Sequence, residues 1–466
     1  PFPARPSKLC FQPHQPCVHP LGHKDEVKVV GLSDSSSAPA ENAVLESKMM
    51  DKWKDVMRET PPAGVPPVRF PGAELILNDD DPKDPPAKKV IRLNEAQLKE
   101  LRIQLQYYLD KGMLRPSASN YAAPVFFVPK PHTSPVKWRM AVDYRLLNSI
   151  TRRDGYPLPA ADSVIDAMRG STVFSKIDLT QFFHQIPVHP DSIRKTAITT
   201  RYGNYEWTVC PFGIHNCPPL AQRLMHTIFR DYLDIFMVVF MDDILIFSKT
   251  VEEHQKHLDK VFTRMQEWSL YAHPEKVELF RTEMTYLGYG LNAKGVYITD
   301  ESKEAIKQWT IPQPNAPNKK GNRKPNPDGK TAIRTFLGMA SFFRRFIPKL
   351  AERAKPISDM LDPDTPFVWG EKQQAAFDDI KRCLLSDMVL QTPDPSKKFY
   401  IYPDASLVGV GAVLMQADIA DPEGKRLKAC AFMSKKLNAT EFKWGTYEKE
   451  LWAMILSLMK WKHYIG

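Results

Sequence analysis

The clearest pattern of apolar and polar positions lies near the middle of the chain. Two apolar, β-prone runs, residues 237–241 and 244–247, flank the adjacent acids Asp242 and Asp243. Each run has the length of a strand, and two residues between them is the length of a tight hairpin loop. The pattern therefore predicts a buried β-hairpin with two carboxylates at its turn.

Carboxylates in such a setting need a positive partner. A buried carboxylate is costly unless it is paired, and residues 237–247 contain no Lys or Arg. A divalent cation, which prefers hard oxygen ligands, would meet that need. Most Asp-Asp pairs are merely solvated turns, as expected for Asp79–Asp81 and for Asp378–Asp379, which lie in polar surroundings. Apolar runs on both sides of Asp242 favour the metal interpretation, provided that a third carboxylate joins the pair.

Helical and strand periodicities predict the remaining elements. Asn94 is a suitable N-cap for a helix with apolar positions at Leu101 and Leu105. Tyr202–Tyr205 carries the signal of a hairpin turn between two strands. Further helices are predicted over 218–233, 251–269 and 447–464. Strands are predicted over 123–129, 137–143, 172–179, 196–200, 206–210, 286–291, 399–402 and 408–414.

Composition sets the outer limits of the interpretation. A chain of 466 residues has room for about three domains, and an apolar share of 43% supports buried cores. The net charge of +10 favours a polyanionic partner. Six cysteines are too few for a disulfide framework and are expected to be reduced intracellular thiols. No apolar run reaches the roughly eighteen residues of a membrane span. A chain that starts with Pro1 is expected to be part of a longer polypeptide.

The first 90 residues are rich in Pro, Ser and charge, which predicts mostly linker, with brief helical periodicity between Ala43 and Glu59. A group of Cys and His residues near the start is a candidate zinc site, yet it lacks the usual Cys-x2-Cys spacing, so a flexible tail is the simpler interpretation. That group consists of Cys10, His14, Cys17, His19 and His23.

A third acid lies in another apolar strand. Asp178 is embedded in Val173–Leu179, 64 residues before Asp242. This separation suits one strand, a hairpin and a helix before the chain returns beside the first strand. Three carboxylates that converge from a strand and an adjacent hairpin would hold two cations. Such sites serve phosphoryl transfer, because one ion lowers the pKa of the attacking hydroxyl and the other supports the leaving pyrophosphate.

Short motifs in a fixed order then identify a family. They are Trp138–Arg145, Tyr156–Pro159, Phe174–Leu179, His184–Ile186, Lys195–Ala197, Pro211–Gly213, Phe240–Ile246, Glu253–His254, Tyr286–Gly288, Phe336–Gly338 and Phe342–Ile347. Together they resemble the Pol polyprotein of gypsy-like LTR retrotransposons (the Metaviridae), and in particular its reverse transcriptase.

The resemblance implies roles for individual residues. Asp178, Asp242 and Asp243 match the family's catalytic, metal-binding triad in the palm. Phe183 matches the sugar gate, which selects dNTPs over rNTPs because its ring leaves no room for a 2′-hydroxyl. The other matched positions are Lys130 and Arg139 at the incoming triphosphate, Phe212 and Gly213 under the nucleotide, Gln222 on the helix that contacts the template, and Leu287 and Gly288 in the primer grip.

The C-terminal part resembles the first strands of a retroelement ribonuclease H, through Phe399–Ser406 and Gly409–Val413. Asp404 matches the first metal ligand of that family. Glu450 matches the second, and is preferred to Glu448 because a Leu and a helical apolar stripe follow it. Further carboxylates lie downstream in the family, so the 466-residue chain is expected to lack ribonuclease H activity.

Three features depart from the family's pattern. Gln181 and Phe182 precede the gate position, where the family usually has small residues. A Pro/Asn/Gly/Lys-rich stretch, 312–330, has the composition of an exposed loop inserted in the thumb. Pro403 lies beside the Asp404 position and is unusual for the family.

The resemblance implies an α+β fold of the right-hand polymerase type, with fingers, palm and thumb, followed by a connection and a truncated RNase H-like α/β domain. The expected boundaries are 1–90 for a mostly disordered linker, 91–292 for fingers and palm, 293–362 for the thumb with its inserted loop, 363–396 for the connection and 397–466 for the partial RNase H-like domain.

The implied function is an RNA-directed DNA polymerase that uses dNTPs and two Mg²⁺ ions, for which Mn²⁺ can substitute. Implied partners are an RNA template, a DNA primer, their RNA–DNA hybrid and the rest of the Gag-Pol polyprotein, without a membrane. The implied location is intracellular, in a cytoplasmic virus-like particle or the nucleus. The alternatives are a catalytically defective retroelement fragment that binds nucleic acid, and an RNA-templated RNA polymerase, which has no reason to carry Phe183.

Overall fold

The computed structural model describes residues 40–69, 72–78, 86–129, 138–159, 166–312, 329–362, 364–421 and 426–465. The N-terminal Cys/His group, Lys130 and most of the predicted 312–330 loop lie outside these residues. Contacts divide the chain into two units. The first spans Ala38–Ala167 and Val173–Arg281, and the second includes Met168–Thr172 and Thr282–Gly466.

The first unit mixes six helices with nine strands among its described residues. Its helices are α1 (Ala40–Lys52), α2 (Glu95–Asp110), α3 (Arg145–Ile150), α4 (Pro190–Ile193), α5 (Cys217–Ile228) and α6 (Val251–Glu267). Its strands are β1 (Leu114–Pro116), β2 (Ala123–Pro129), β3 (Trp138–Val142), β4 (Val173–Asp178), β5 (Ile198–Thr200), β6 (Gly203–Trp207), β7 (Met237–Phe240), β8 (Asp243–Ser248) and β9 (Glu278–Arg281).

Helix α2 begins where the cap signal predicts. The Asn94 side chain accepts a hydrogen bond from Gln97 N, and Gln97 Oε1 accepts one from Asn94 N, so the two residues form a capping box. Leu101 and Leu105 are buried on one face of the helix. The cap therefore fixes the start of the helix, and the apolar stripe docks it on the core.

Two sheets organise the first unit. The first has the strand order β1-β6-β5-β2-β3, with β2 parallel to β5 and the other pairs antiparallel. The second is antiparallel, with the order β7-β8-β4-β9. Strands β4 and β8 are buried along their whole length, and helix α6 packs on β8. This second sheet carries all three acids singled out by the sequence.

Residues 40–69 and 72–78 are part of the first unit, so the prediction of a mostly disordered linker up to residue 90 is wrong for them. Helix α1 packs on strand β9. Bridges join Ala73 to Val188 and Leu77 to Thr151. The apolar side chains that this segment buries in the core include Met49, Val56, Ala73 and Leu75.

The second unit contains two further sheets, ordered β10-β11-β12-β13 and β14-β15-β16. Its strands are β10 (Glu283–Tyr286), β11 (Tyr289–Asn292), β12 (Gly295–Tyr297), β13 (Val389–Leu390), β14 (Tyr400–Ala405), β15 (Gly409–Ala417) and β16 (Leu427–Lys436). Its helices are α7 (Asp300–Lys307), α8 (Lys330–Phe342), α9 (Leu350–Arg353), α10 (Lys355–Ser358), α11 (Glu371–Leu384), α12 (Thr446–Lys460) and α13 (Lys462–Ile465). Across the described ranges, no helix combines the length and the apolar character needed to cross a membrane.

Candidate active site

The acidic hairpin consists of β7, β8 and the two-residue turn between them. Phe240 pairs with Asp243 across the two strands, so the turn is formed by Met241 and Asp242, one residue earlier than the apolar pattern suggests. Met241 has a φ of +53°, in the left-handed region that residues other than glycine rarely adopt. The predicted buried hairpin is confirmed, with one acid in its turn and the other at the first position of β8.

Strand β4 brings the third acid to the same place. Asp178 lies directly opposite Asp243 in the antiparallel pairing of β4 with β8. The backbone N–H of Leu179 donates to the carbonyl oxygen of Asp242 over 3.1 Å. Side chains of residues paired in this way lie within about 5.5 Å of each other at their Cβ atoms. Asp178, Asp242 and Asp243 therefore meet at one end of the sheet.

The site holds an excess of negative charge around Asp242. Burial and the charges of Asp243 and Asp178 raise the pKa of Asp242 to about 6. Among the described residues, no three His, Cys, Asp or Glu side chains are already gathered closely enough to hold a metal ion. The oxygen donors and the raised pKa nevertheless fit a divalent cation, because its charge would favour the ionised form of all three acids.

Two lysines supply positive charge from outside the hairpin. Lys176 Nζ lies 3.5 Å from Asp243 Oδ1, and both residues are buried. Lys276 Nζ lies 3.0 Å from Asp178 Oδ1, and its side chain is half exposed. The expectation that the acids lack a basic partner therefore holds only within residues 237–247. Asp178 follows Lys176 by two residues in β4, so strand alternation puts both side chains on the same face. This spacing can be read from the sequence.

Gln222 supports the acidic hairpin and is fully buried, and its predicted role at the nucleotide and on the helix that contacts the template stays a prediction. Its Oε1 accepts a hydrogen bond from Met241 N over 2.8 Å, and its Nε2 donates to Val239 O over 3.0 Å. These two bonds hold the backbone on both sides of Phe240. Gln222 thus positions the turn that carries Asp242.

The predicted nucleotide-contacting residues lie in the first unit. Phe183 is half-buried and meets the exposed ring of Phe212 edge to face, with 5.3 Å between ring centroids. Gly213 has a φ of +102°, and a Cβ there would lie 3.2 Å from Val142 O, so the position suits glycine. Arg139 is exposed on β3, whereas Lys130 lies outside the described residues.

Two cysteines close the loop that carries Phe212 and Gly213. Cys210 and Cys217 form a disulfide, so the prediction of reduced thiols is wrong for this pair.

Gln181 is one of the two residues before the gate position that depart from the family's pattern. It has a φ of +44°, and its Nε2 donates to Tyr107 Oη over 3.2 Å. Its amide is therefore directed towards helix α2.

Leu287 and Gly288 form the two-residue turn between β10 and β11 in the second unit. Both have positive φ angles, +47° and +83°, as a type I′ hairpin turn requires. A Cβ on Gly288 would lie 3.2 Å from the ring of Phe342. Tyr289 stacks on the same ring and donates to Phe342 O. The turn is thus fixed against the end of helix α8, and its role as a primer grip stays a prediction.

The two predicted ribonuclease H ligands occupy neighbouring elements of the second unit. Asp404 lies on β14 and forms an ion pair with Lys349. Glu450 is exposed on helix α12, which packs on β14. The carboxylate of Glu448 accepts a hydrogen bond from Gly445 N and caps the same helix. Glu448 therefore has a structural task, while the ligand role of Glu450 stays a prediction.

A buried histidine network that the sequence did not single out as functional ties the second sheet to helix α6. His254 is fully buried, with Nε2 2.7 Å from Ser175 Oγ and Nδ1 2.8 Å from Ser248 Oγ. Burial lowers the pKa of His254 to about 3. Burial also lowers the pKa of His184, which stacks on Trp207, to about 4. Both histidines are therefore neutral in the folded protein at neutral pH.

We expect these two histidines to make the fold sensitive to acid. Their pKa is near 6.5 in the unfolded chain, so below pH 6.5 the unfolded state binds protons that the folded state cannot. Their contribution is complete well above pH 6.5, and from pH 7 to 5 the free energy of unfolding should fall by about 4 kcal/mol for the pair. Urea unfolding at pH 5, 6 and 7 measures this loss.

The same experiment needs a background in which Asp242 does not titrate. The raised pKa of Asp242 makes the folded state take up a proton near pH 6, which opposes the effect of the histidines. The Asp242→Asn variant removes this opposing titration. His189→Gln, at a half-exposed histidine that caps a short helix, is the control and should keep the slope. Equal stability of Asp242→Asn at pH 5 and 7 would contradict the prediction.

Two family models match the chain. One is described as reverse transcriptase (RNA-dependent DNA polymerase) and matches residues 128–291. The other is described as an RNase H-like domain found in reverse transcriptase and matches residues 369–466. The first match contains the acidic hairpin and Asp178, and the second contains Asp404 and Glu450.

Curated relatives are transposon polyproteins. The Transposon Tf2-3 polyprotein of Schizosaccharomyces pombe is 31% identical over 428 residues, which cover 91% of this chain and 30% of that polyprotein. The Retrovirus-related Pol polyprotein from transposon 297 of Drosophila melanogaster is 34% identical over 375 residues, 79% of this chain and 33% of the relative. The chain thus spans about a third of the length of these relatives.

Solved structures share the fold. The foamy viral protease-reverse transcriptase in complex with double-stranded DNA matches with a TM-score of 0.76 and 23% identity, over 91% of this chain and 70% of that one. The same viral protein in complex with an RNA/DNA hybrid matches with a TM-score of 0.74, over 91% of this chain and 54% of that one. The predicted fold class, α+β and of the kind found in these polymerases, is confirmed.

Proposed function

Because the chain belongs to the reverse transcriptases of the Pol polyprotein type, with the RNase H-like domain that accompanies them, we propose that it is an RNA-directed DNA polymerase of a gypsy-like LTR retrotransposon. It extends a primer 3′-hydroxyl with dNTPs along an RNA or DNA template. The observation that carries the proposal is the meeting of Asp178, Asp242 and Asp243, in which burial and the two neighbouring charges raise the pKa of Asp242.

The same three acids would hold the divalent cations, two Mg²⁺ ions or Mn²⁺ in their place. When bound, such ions would supply the charge that acidifies the primer hydroxyl and neutralises the leaving pyrophosphate. The protein's own part is to fix the carboxylates. Strand pairing sets Asp178 against Asp243, and Gln222 fixes the turn that holds Asp242. Lys276 is half exposed and therefore has room to leave Asp178 when a cation arrives.

Nucleotide selection would rest on the aromatic pair at Phe183 and Phe212. A ring at position 183 would pack against the deoxyribose and exclude a 2′-hydroxyl, and its edge-to-face contact with Phe212 holds it in place. Arg139, exposed on β3, would contact the triphosphate together with Lys130, because an always-charged fork of donors suits phosphate oxygens.

Replacing Phe183 with Val should weaken this selection. We expect the ratio of kcat/KM for dNTPs to that for rNTPs to fall by about 10- to 200-fold, the range typical for one hydrophobic contact in a pocket. Single-nucleotide incorporation with matched dNTP and rNTP measures the ratio. Phe442→Val, at an exposed phenylalanine of the second unit, should leave the ratio unchanged. An unchanged ratio in Phe183→Val would exclude the gate role.

Partners and location follow from the proposed reaction. The substrates would be an RNA template, a DNA primer and the RNA–DNA hybrid, which the net charge of +10 favours. Complexes of the related viral protein with double-stranded DNA and with an RNA/DNA hybrid support this choice. The rest of the Gag-Pol polyprotein would complete the assembly in a cytoplasmic virus-like particle, with the nucleus as a second location. Asp404 and Glu450 would serve ribonuclease H chemistry in the full polyprotein.

Primer extension on a primed homopolymer tests the function. Incorporation of dNTPs with Mg²⁺ or Mn²⁺ is expected, with little use of rNTPs. No incorporation with either cation would favour a defective fragment that only binds nucleic acid, whereas equal use of rNTPs would favour an RNA polymerase. The intact set of Asp178, Asp242 and Asp243 supports the active enzyme over the defective fragment.

A further inference from the structure

A series of three hydrogen-bonded polar side chains leads from the surface of the first unit to the turn of the acidic hairpin. Gln222, on helix α5, bonds the hairpin backbone at Met241 N and Val239 O, as described above. One helical turn further on, His226 Nε2 lies 2.6 Å from Gln222 Nε2. On the other side of the ring, His226 Nδ1 lies 2.8 Å from the hydroxyl of Tyr156. The hydrogen-bonded series thus consists of Tyr156, His226 and Gln222, and it ends at Met241, the residue before Asp242.

Hydrogen-bond polarity fixes how each member is oriented. Met241 N is a donor, so the atom of Gln222 that faces it must be the amide oxygen, and Gln222 Nε2 must face Val239 O and His226. His226 Nε2 must therefore accept and carry no proton. The ring proton then sits on Nδ1 and is donated to the oxygen of Tyr156.

Charged groups hold Tyr156, the outermost of the three hydrogen-bonded side chains. The Arg223 guanidinium lies 4.9 Å from the centroid of the Tyr156 ring and pairs with both carboxylate oxygens of Asp154. The backbone N–H of Tyr156 donates to the same carboxylate. Burial lowers the pKa of His226, while the charge of Asp234 acts in the opposite direction. Within the part of the chain that the structure describes, the lowered pKa agrees with the hydrogen-bond polarity, which requires a neutral ring.

We infer that His226 and Tyr156 are positioning residues for nucleotide transfer, because they hold the Gln222 amide in the one orientation that bonds both sides of the hairpin turn. The inference rests on the proposed polymerase function. Met241 has a backbone conformation that its side chain disfavours, so the turn depends on outside support. A donor in place of His226 Nε2 would face the Gln222 NH2 group, and relief by an amide flip would break both backbone bonds. Asp242 would then lose its position.

The test compares two substitutions of similar size at one position. His226→Gln keeps an oxygen that can accept from Gln222, whereas His226→Lys presents only donors. We expect His226→Lys to lower kcat for primer extension by at least about tenfold with a smaller change in the KM for dNTP, as misplacement of a reacting group does. We expect His226→Gln to stay within about threefold of the parent in kcat. Tyr156→Phe, which removes the far partner, should fall between the two.

A second readout separates this inference from the proposed function. The shift in the unfolding midpoint with Mg²⁺ concentration reports how well the three acids bind a cation, without any polymerisation. His226→Lys should need about fivefold more Mg²⁺ than the parent for the same shift. His257→Gln, at a half-buried histidine of helix α6 with a similarly lowered pKa and a hydrogen bond to Ser248, should match the parent in both readouts.

The outcomes are distinct. Equal loss in His226→Gln and His226→Lys would overturn the polarity argument. A folded His226→Lys variant with the kcat and Mg²⁺ response of the parent would overturn the inference itself. A parent protein that binds Mg²⁺ but does not extend a primer would contradict the proposed function, and the Mg²⁺ response of the variants would still decide whether His226 positions the acids.

Discussion

Replacing Asp242 with Asn is expected to abolish DNA synthesis while leaving the fold as stable as before, or more stable, when no divalent cation is present. The substitution keeps the size of the side chain and its backbone turn but removes one of the three charges that would hold the cations. Asn keeps only an uncharged amide oxygen, and Met241, the other residue of the turn, has no carboxylate that could replace the lost charge. The expected primer extension is therefore at background level in Mg²⁺ and Mn²⁺.

The stability part of this prediction follows from the sign of the pKa shift. Asp242 has a folded-state pKa of about 6 against its ordinary value of 3.8, so its ionisation disfavours the folded state. The protonated form contributes fully below pH 3.8, and this contribution is lost as the pH rises to about 6. Asn resembles the protonated form at every pH. Above pH 6, Asp242→Asn should therefore gain up to about 3 kcal/mol, the upper limit given by the shift.

The control is Asp378→Asn, an acid of the other adjacent pair that the structure describes. Asp378 accepts a hydrogen bond from Gln374 on the exposed side of helix α11, so its loss should change neither DNA synthesis nor stability by a measurable amount. Urea unfolding at pH 7 without and with Mg²⁺ completes the test, because added Mg²⁺ should stabilise the parent more than Asp242→Asn. DNA synthesis by Asp242→Asn would contradict the assignment of the site.

The acidic hairpin shows how far the sequence alone can go. Apolar residues on both sides of an acid pair have one simple explanation, a buried turn, and the structure places the turn within one residue of the prediction. Asp178 could be found because it too stands out in an apolar strand. The hairpin sequence does not reveal Lys176 as a partner of Asp243, because Lys176 reaches Asp243 from a neighbouring strand.

Partners brought together by tertiary structure escape local patterns. Strand β16 mixes half-buried polar and apolar residues, so neither alternation nor a continuous apolar run marks it. The Cys210–Cys217 disulfide spans a loop whose closure depends on the fold and not on a spacing signature. Gln222 looks like a surface residue of an amphipathic helix until the hairpin is placed against it. In each case the fold, and not a local periodicity, brings the partners together.

The second large prediction concerns the segment formed by residues 40–69 and 72–78. It is expected from the sequence to be linker, yet it buries side chains in the core. A chain that begins after residue 78 should fail to fold. Several contacts of this segment are hydrogen bonds between backbone atoms, which leave no periodic signal in the sequence. Arg58 N donates to Ala272 O, and Ala272 N donates to Val56 O. The Thr180 hydroxyl donates to Arg58 O over 2.6 Å. Deleting the segment exposes the core beneath it and leaves its hydrogen-bond partners, Ala272 and Thr180, without these bonds.

Arg69 gives the graded form of the same prediction. Its guanidinium donates to Gln185 O and to Ser269 O, each over 2.8 Å, and burial lowers its pKa to about 10. Arg69→Ala leaves both carbonyls without this donor, and at about 1–3 kcal/mol for each lost partner the variant should unfold in less urea than the parent. Arg92→Ala, at an exposed arginine, should unfold with the parent.

Together the truncation and the point variant distinguish an integral segment from an attached one. Typical domains are stable by about 5–15 kcal/mol, so losing the buried side chains of the segment along with its hydrogen bonds exceeds what the first unit can tolerate. A truncated chain that stays soluble and unfolds at the parent's urea midpoint would show that the fold begins near residue 91 after all. If it aggregates while Arg69→Ala is folded but weakened, the segment is part of the palm's structure, and an active polymerase has to include it.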